Sequence, residues 1–274
     1  MRRALLAWAA AALPLAAAAE DSLPQWEFGL GATALHLPDY RGSNESRNYI
    51  YPLPYLVYRG ERVRVDRQGA RAVLLERSRV ELDFSVFGSL PVDSSKNRAR
   101  QGMPDLDPTI ELGPQVNVSL LRDSSSRLDL RFPVRAVVAT DLRHTQGAGF
   151  TFYPHLFYGA SPDWSGGRWT IGVNAGPLFG SADYHRYFYS VDPQFGTADR
   201  PAFEAKGGYS GLAALGSISR RYGKTWVAAF ARYDNLRGAV FEDSPLVKRE
   251  STLAVGIAFA WVFAESDRKV QGRE

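Results

Sequence analysis

The 274-residue chain has no cysteine. That absence excludes a disulfide framework, thiolate metal sites and a cysteine nucleophile. After Ala19 no apolar run approaches the ~20 residues that a membrane-spanning helix requires. A surplus of one charge is lacking too. The 33 basic side chains face 29 acidic ones, and the formal net charge of +4 is too small to point to a nucleic-acid partner. There is no G-x-S-x-G elbow, since Gly208-Tyr209-Ser210-Gly211 misses it, and no EF-hand spacing among loop acids such as Asp192 and Asp199. No cofactor, no metal site and no enzymatic activity are expected.

What is present begins with Met1-Arg2-Arg3, the apolar run Ala4–Ala16 and Ala17-Ala18-Ala19. A basic start, a short apolar stretch and an A-x-A site read as a signal peptide over residues 1–19, cleaved after Ala19. The mature chain then leaves the cytoplasm. If it enters a membrane it must do so as a closed barrel, because only helices and barrels satisfy their backbone groups in lipid.

The stretch Ser251–Phe263 carries that reading. Leu253, Val255, Ile257, Phe259, Trp261 and Phe263 alternate with Thr252, Ala254, Gly256, Ala258, Ala260 and Val262, a period of two with unlike faces. Further strands follow the same pattern over Gln25–His36, Asn48–Tyr58, Arg79–Leu90, Asp105–Leu121, Arg127–Thr140, Phe150–Ala160, Arg168–Gly180, Gly207–Arg221 and Thr225–Leu236. A hairpin over Glu61–Asp66 and Ala70–Leu75 completes twelve; were Glu61–Leu75 one bent strand the sum would be odd, so ten is the fallback count. In Asn48–Tyr58, Tyr49, Tyr51, Leu53, Tyr55 and Val57 share one face and Pro52 and Pro54 the other. In Thr225–Leu236, Trp226 and Phe230 share a face with Arg232, a parity that a bulge would resolve.

These strands are long for a soluble sheet and suit tilted membrane strands, with short turns at one end and longer loops at the other. The fold class expected is therefore all-β: an antiparallel up-and-down transmembrane barrel over residues 20–263 with both termini periplasmic, in the outer membrane of a Gram-negative bacterium. Residues 264–274 form a short polar periplasmic tail, expected to be dispensable for assembly. The last strand must pair with the first. Its Gly256, Phe259, Trp261 and Phe263 resemble the terminal signal read by the barrel-assembly machinery, so that machinery and outer-membrane lipid are expected partners.

On the polar faces, Arg79, Glu81, Asp83, Glu111, Asp129, Arg131 and Arg135 are expected to point into the lumen. Opposite signs there allow ion-pair ladders that fill the barrel, or a charged constriction that selects solutes. A third reading is a wall hydrolase drawing on His36, His144, His155 or His185 with Ser85 or Ser210, but a triad is a matter of geometry, which spacing does not show.

Three segments resemble the MipA/OmpV outer-membrane proteins, the MltA-interacting protein family. They are Pro38-Asp39-Tyr40-Arg41-Gly42-Ser43 with Pro52-Leu53-Pro54; Tyr184–Val191 (YHRYFYSV); and Trp226–Leu236 (WVAAFARYDNL) with Asp243-Ser244-Pro245-Leu246-Val247. The chain departs from the family pattern in running on after Phe263. The resemblance implies a barrel that serves as a scaffold joining a lytic transglycosylase to a penicillin-binding protein in peptidoglycan synthesis. Its alternative implication is a porin-like channel involved in osmotic or antibiotic response.

Overall fold

The computed structural model describes residues 22–66, 69–141 and 143–271. The expected signal peptide and its cleavage site lie outside the described residues, as do Arg67 and Gln68 at the tip of the expected hairpin turn. No described helix is long and apolar enough to cross a membrane.

Among the described residues the wall has twelve antiparallel strands. In chain order they are β1 (Trp26–Pro38), β2 (Ser46–Arg59), β3 (Val63–Asp66), β4 (Gly69–Glu76), β5 (Val80–Gly88) and β6 (Thr109–Arg122). The second half comprises β7 (Ser126–Thr140), β8 (Thr145–Phe152, resuming as His155–Ala160), β9 (Gly167–Gly180), β10 (Gly208–Tyr222), β11 (Thr225–Asn235) and β12 (Ser251–Glu265). Each strand pairs with the next, and β12 returns to β1, from Val255 opposite His36 to Glu265 opposite Glu27. Closure gives every strand a neighbour on both sides, as a sheet in lipid requires, although among the described residues β2 and β3 share only the pairs Tyr58–Val65 and Arg59–Arg64.

The alternation sorts the faces. On β12, Leu253, Ile257, Phe259, Trp261 and Phe263 are about half exposed while Ala260 and Val262 are buried. The large residues face lipid and the small ones the lumen. Small residues here admit large neighbours: a Cβ on Gly256 would lie 2.3 Å from the Phe230 ring. This settles β11 without a bulge. Its register with β10 and β12 is unbroken, and Trp226 and Phe230 point inward with Arg232, Trp226 meeting Tyr55 at 5.3 Å between ring centroids. Gly31 serves the β12–β1 seam in the same way, since a Cβ there would sit 1.8 Å from the Phe259 carbonyl oxygen.

On β2 the tyrosine face is the inner one. Tyr55 and Val57 are buried, whereas Ile50, Pro52, Pro54 and Leu56 are exposed. Proline suits the lipid side because its ring is apolar. The link expected over Asp141–Gly149 is a tight turn, with β8 starting at Thr145. The longest segment between strands is not irregular throughout: it holds a helix, α1 (Ala182–Tyr189), capped by Ser181, whose Oγ accepts from the Tyr184 amide at 3.3 Å.

The chain beyond Phe263 is bound. The Ser266 amide donates to the Trp26 carbonyl at 3.0 Å, Ser266 Oγ accepts from the Gln25 amide at 2.8 Å, and Lys269–Gln271 pairs with Ser22–Pro24.

Candidate functional site: a loop-built plug over a charged lumen

Four long loops meet at one end of the barrel: residues 39–45, 89–108, 181–207 and 236–250. They bury a shared apolar cluster that includes Tyr40, Leu106, Tyr189, Val191, Leu236, Phe241 and Leu246. The rings of Tyr189 and Phe241 stack at 3.7 Å with planes 8° apart. Tyr40 Oη donates to the Leu246 carbonyl at 2.8 Å, Tyr189 Oη to the Arg41 carbonyl at 3.1 Å, and Ser244 Oγ to the Tyr189 carbonyl at 2.6 Å. Burial pushes the Tyr189 hydroxyl up to about 12, so it stays a neutral donor. Each of the three segments that carry the family resemblance therefore contributes to this one plug, through Tyr40, Tyr189 and Leu236, while Pro52-Leu53-Pro54 lies in the wall.

Charged side chains fasten it. Arg41 Nε meets Asp234 Oδ1 at 2.7 Å, and Arg232 Nε meets Asp234 Oδ2 at 2.8 Å. Arg47 pairs with Asp39 at 2.8 Å, and buried Asn97 donates to Asp39 at 2.7 Å, joining the first and second long loops. Arg100 donates to the Phe188 and Pro104 carbonyls, and Arg200 to those of Ala99, Gln101 and Phe195. Guanidinium groups suit this task because their planar fork serves several carbonyls at once.

One Ser–His contact forms. His185 Nδ1 lies 2.5 Å from the Lys206 carbonyl oxygen and Nε2 lies 2.6 Å from Ser210 Oγ. A carbonyl only accepts, so Nδ1 carries the proton and Nε2 accepts from Ser210. Burial holds His185 below the ordinary imidazole range, which keeps it neutral. Both residues are wholly enclosed, and no carboxylate orients the ring. The contact ties α1 to β10 and offers no route to a substrate. His36 pairs with Asn48, His144 with Asp141, and His155 with the Tyr153 carbonyl.

Below the plug, the inward charges from β5 to β8 interlock. Asp83 is buried and accepts from Asn117 at 2.7 Å; Asn117 also reaches Glu81 at 3.2 Å. Arg131 bonds Asp129 at 2.8 Å, with its guanidinium 3.6 Å above the Phe157 ring. Arg135 donates to Ser85 at 3.2 Å, and Glu111 accepts from Thr151 at 3.4 Å. Arg79 stands apart, exposed in the turn before β5. Sequence reasoning passed over Arg64, which bridges Glu76 and Glu81 at 2.7 and 2.9 Å, and Glu27, which is held by Arg59 and Arg221. It also passed over the Arg41–Asp234 pair, although both residues sit within quoted motifs. Glu27–Arg221 and Arg41–Asp234 lie 194 and 193 residues apart, which leaves no local spacing to read. Gly256, Phe259, Trp261 and Phe263 lie on the closing strand, Gly256 inward and the aromatics toward lipid.

A family model described as MltA-interacting protein MipA matches residues 30–263. No curated protein matches the chain. Among solved structures the chain is similar to the toluene transporter TbuX of Ralstonia pickettii, at 10% identity over 88% of this chain and 90% of that one, with a TM-score of 0.33. It is similar also to OprG of Pseudomonas aeruginosa, at 9% identity over 87% and 94%, TM-score 0.23. A third is the outer-membrane protease OmpT of Escherichia coli, at 6% identity over 89% and 98%, TM-score 0.29.

Proposed function

The chain belongs to the MltA-interacting protein (MipA) family of outer-membrane β-barrel proteins, and from that premise we propose that it acts as a membrane-anchored scaffold for peptidoglycan enzymes. Its partners on this reading are a lytic transglycosylase, after which the family is named, and a penicillin-binding protein. The observation that supports docking over conduction is the plug: four loops close one mouth around Tyr189 and Phe241, and paired charges line the wall beneath. A barrel closed at one mouth offers its ends and its rim, and the turn end is the face given to the periplasm. The closing strand, with Phe259, Trp261 and Phe263, is the segment assigned to the assembly machinery. The residues assigned to the lumen lattice are Glu81, Asp83, Glu111, Asp129, Arg131 and Arg135. The reading assigns no catalysis, because the buried His185–Ser210 contact has no access. Affinity capture from solubilised envelopes tests it. Recovery of a transglycosylase together with a penicillin-binding protein is expected, and recovery of neither counts against the scaffold.

A further inference from the structure

At the β8–β9 seam the backbone ladder of the wall lapses within two otherwise paired strands. β8 is interrupted at Tyr153-Pro154, and pairing with β9 runs at Phe152–Phe179 and resumes at Leu156–Ala175. That register sets Pro154 opposite Pro177. The Tyr153 amide donates to the Pro133 carbonyl on β7, so the groups of residue 154 face β9. Neither proline has an N–H, so this pair exchanges no ladder bond, and the seam lacks them for about 13 Å at ~3.3 Å per residue. The neighbouring seam is thinned as well. Pro133 cannot donate to the Tyr153 carbonyl, and the His155 imidazole takes its place at 2.8 Å.

What holds the seam is a side chain. Tyr153 Oη lies 3.0 Å from Asn174 Oδ1 on β9 and 3.0 Å from the Ala213 carbonyl on β10, and its ring stacks on His155 at 4.4 Å. A side-chain latch opens by a rotamer change, whereas a ladder must be unzipped. Behind it the lumen is not solid. Arg232 points inward with 33% of its side chain exposed, and inward-facing Ser217 is exposed. Asn174, Leu215 and Arg232 form one cross-strand row, so Arg232 stands two strands, about 10 Å, from the latch. Its group has two guanidiniums, Arg41 and Arg232, for the single Asp234 carboxylate. Outside, the seam is flanked by lipid-facing Phe152, Leu156 and Val173.

We propose that the β8–β9 seam is a lateral opening latched by Tyr153, which admits an anionic amphiphile with its head toward Arg232 and its tail in the bilayer. The proposal stands apart from the scaffold reading, since no enzyme partner enters it.

The test uses the full mature protein in lipid nanodiscs, with hydrogen exchange over residues 152–158 and 173–180 and titration with undecanoate carrying a terminal dansyl group. The unbroken β11–β12 seam is the internal reference. Wild type should exchange faster at β8–β9 than at β11–β12, and Tyr153→Phe should accelerate that segment alone by about tenfold. The chain lacks cysteine, so a Leu156→Cys/Ala175→Cys pair, facing each other at the edge of the gap, can be oxidised to staple the seam with both prolines kept. Stapling should abolish saturable binding of the probe and reduction should restore it, which separates closure from misfolding. Arg232→Gln should weaken the probe, and the dansyl undecylammonium analogue should not compete. Exchange equal to the reference seam and unmoved by Tyr153→Phe, probe binding that survives the staple, or equal competition by the cation would each overturn the proposal.

Discussion

Arg41, in the first long loop, reaches Asp234 at the end of β11 with Nε 2.7 Å from Oδ1, and the same carboxylate is gripped from its own strand by Arg232 at 2.8 Å. A loop is thereby fastened to the wall 193 residues away in sequence. Because Asp234 is 5% exposed, removing Arg41 leaves a carboxylate buried with one partner fewer. Breaking such a pair costs about 3 kcal/mol. Arg41→Ala is expected to loosen the plug while the barrel persists. Limited proteolysis should cut residues 39–45 and 236–250 sooner, with heat-modifiable gel mobility retained.

Phe241 is wholly buried and stacks on Tyr189. Phe241→Ala should cost the plug about 3–5 kcal/mol, as large-to-small changes in packed interiors do. Cleavage within residues 236–250 reports the loss, and a cleavage rate equal to wild type would contradict the packing described.

Much of the wall was legible in the sequence because a period of two survives in almost every strand, and Ser251–Phe263 alone carries both faces of β12. The direction of β2 was not, since an alternation shows that two faces differ without showing which meets lipid; prolines at 52 and 54 decide it by facing out. The parity of β11 was unreadable for another reason. Phe230 fills space that Gly256 on a neighbouring strand leaves open, and that vacancy is a property of the pair. The plug was visible only as separate motifs, because Arg41, Tyr189, Asp234 and Phe241 meet through folding.

His185 ties α1 to β10 in its neutral form, with its pKa below the ordinary imidazole value. An unfolded histidine, near 6.5, therefore takes up the proton more readily than the docked one, so its contribution is complete above about pH 6.5 and is lost as pH falls further. The rate of proteolysis within residues 181–207 is expected to rise between about pH 7 and pH 5. His185→Gln should flatten that profile, and a flat wild-type profile would show that the contact does not hold the plug.

The chain after Phe263 was expected to be dispensable, yet Ser266 and Lys269–Gln271 bind the start of the chain at Gln25, Trp26 and Ser22–Pro24. Truncation after Phe263 is accordingly expected to lower the temperature of heat modification, through loss of several backbone hydrogen bonds worth about 1 kcal/mol each. Phe259→Asp, on the lipid face, should impair assembly itself. Folded yields of the two variants, compared by gel mobility, separate closure from assembly. Equal folding of Phe259→Asp and wild type would reverse the face assigned to that residue.

The central claim is that this barrel is closed at one mouth by its plug and works by docking. Single-channel recording of the purified protein in planar bilayers tests it most directly. The plug and the Arg131–Asp129 and Asp83–Asn117 contacts predict no steady conductance in wild type, with current appearing once Arg41→Ala and Phe241→Ala are combined. Regular conductance steps from the wild-type protein would contradict it.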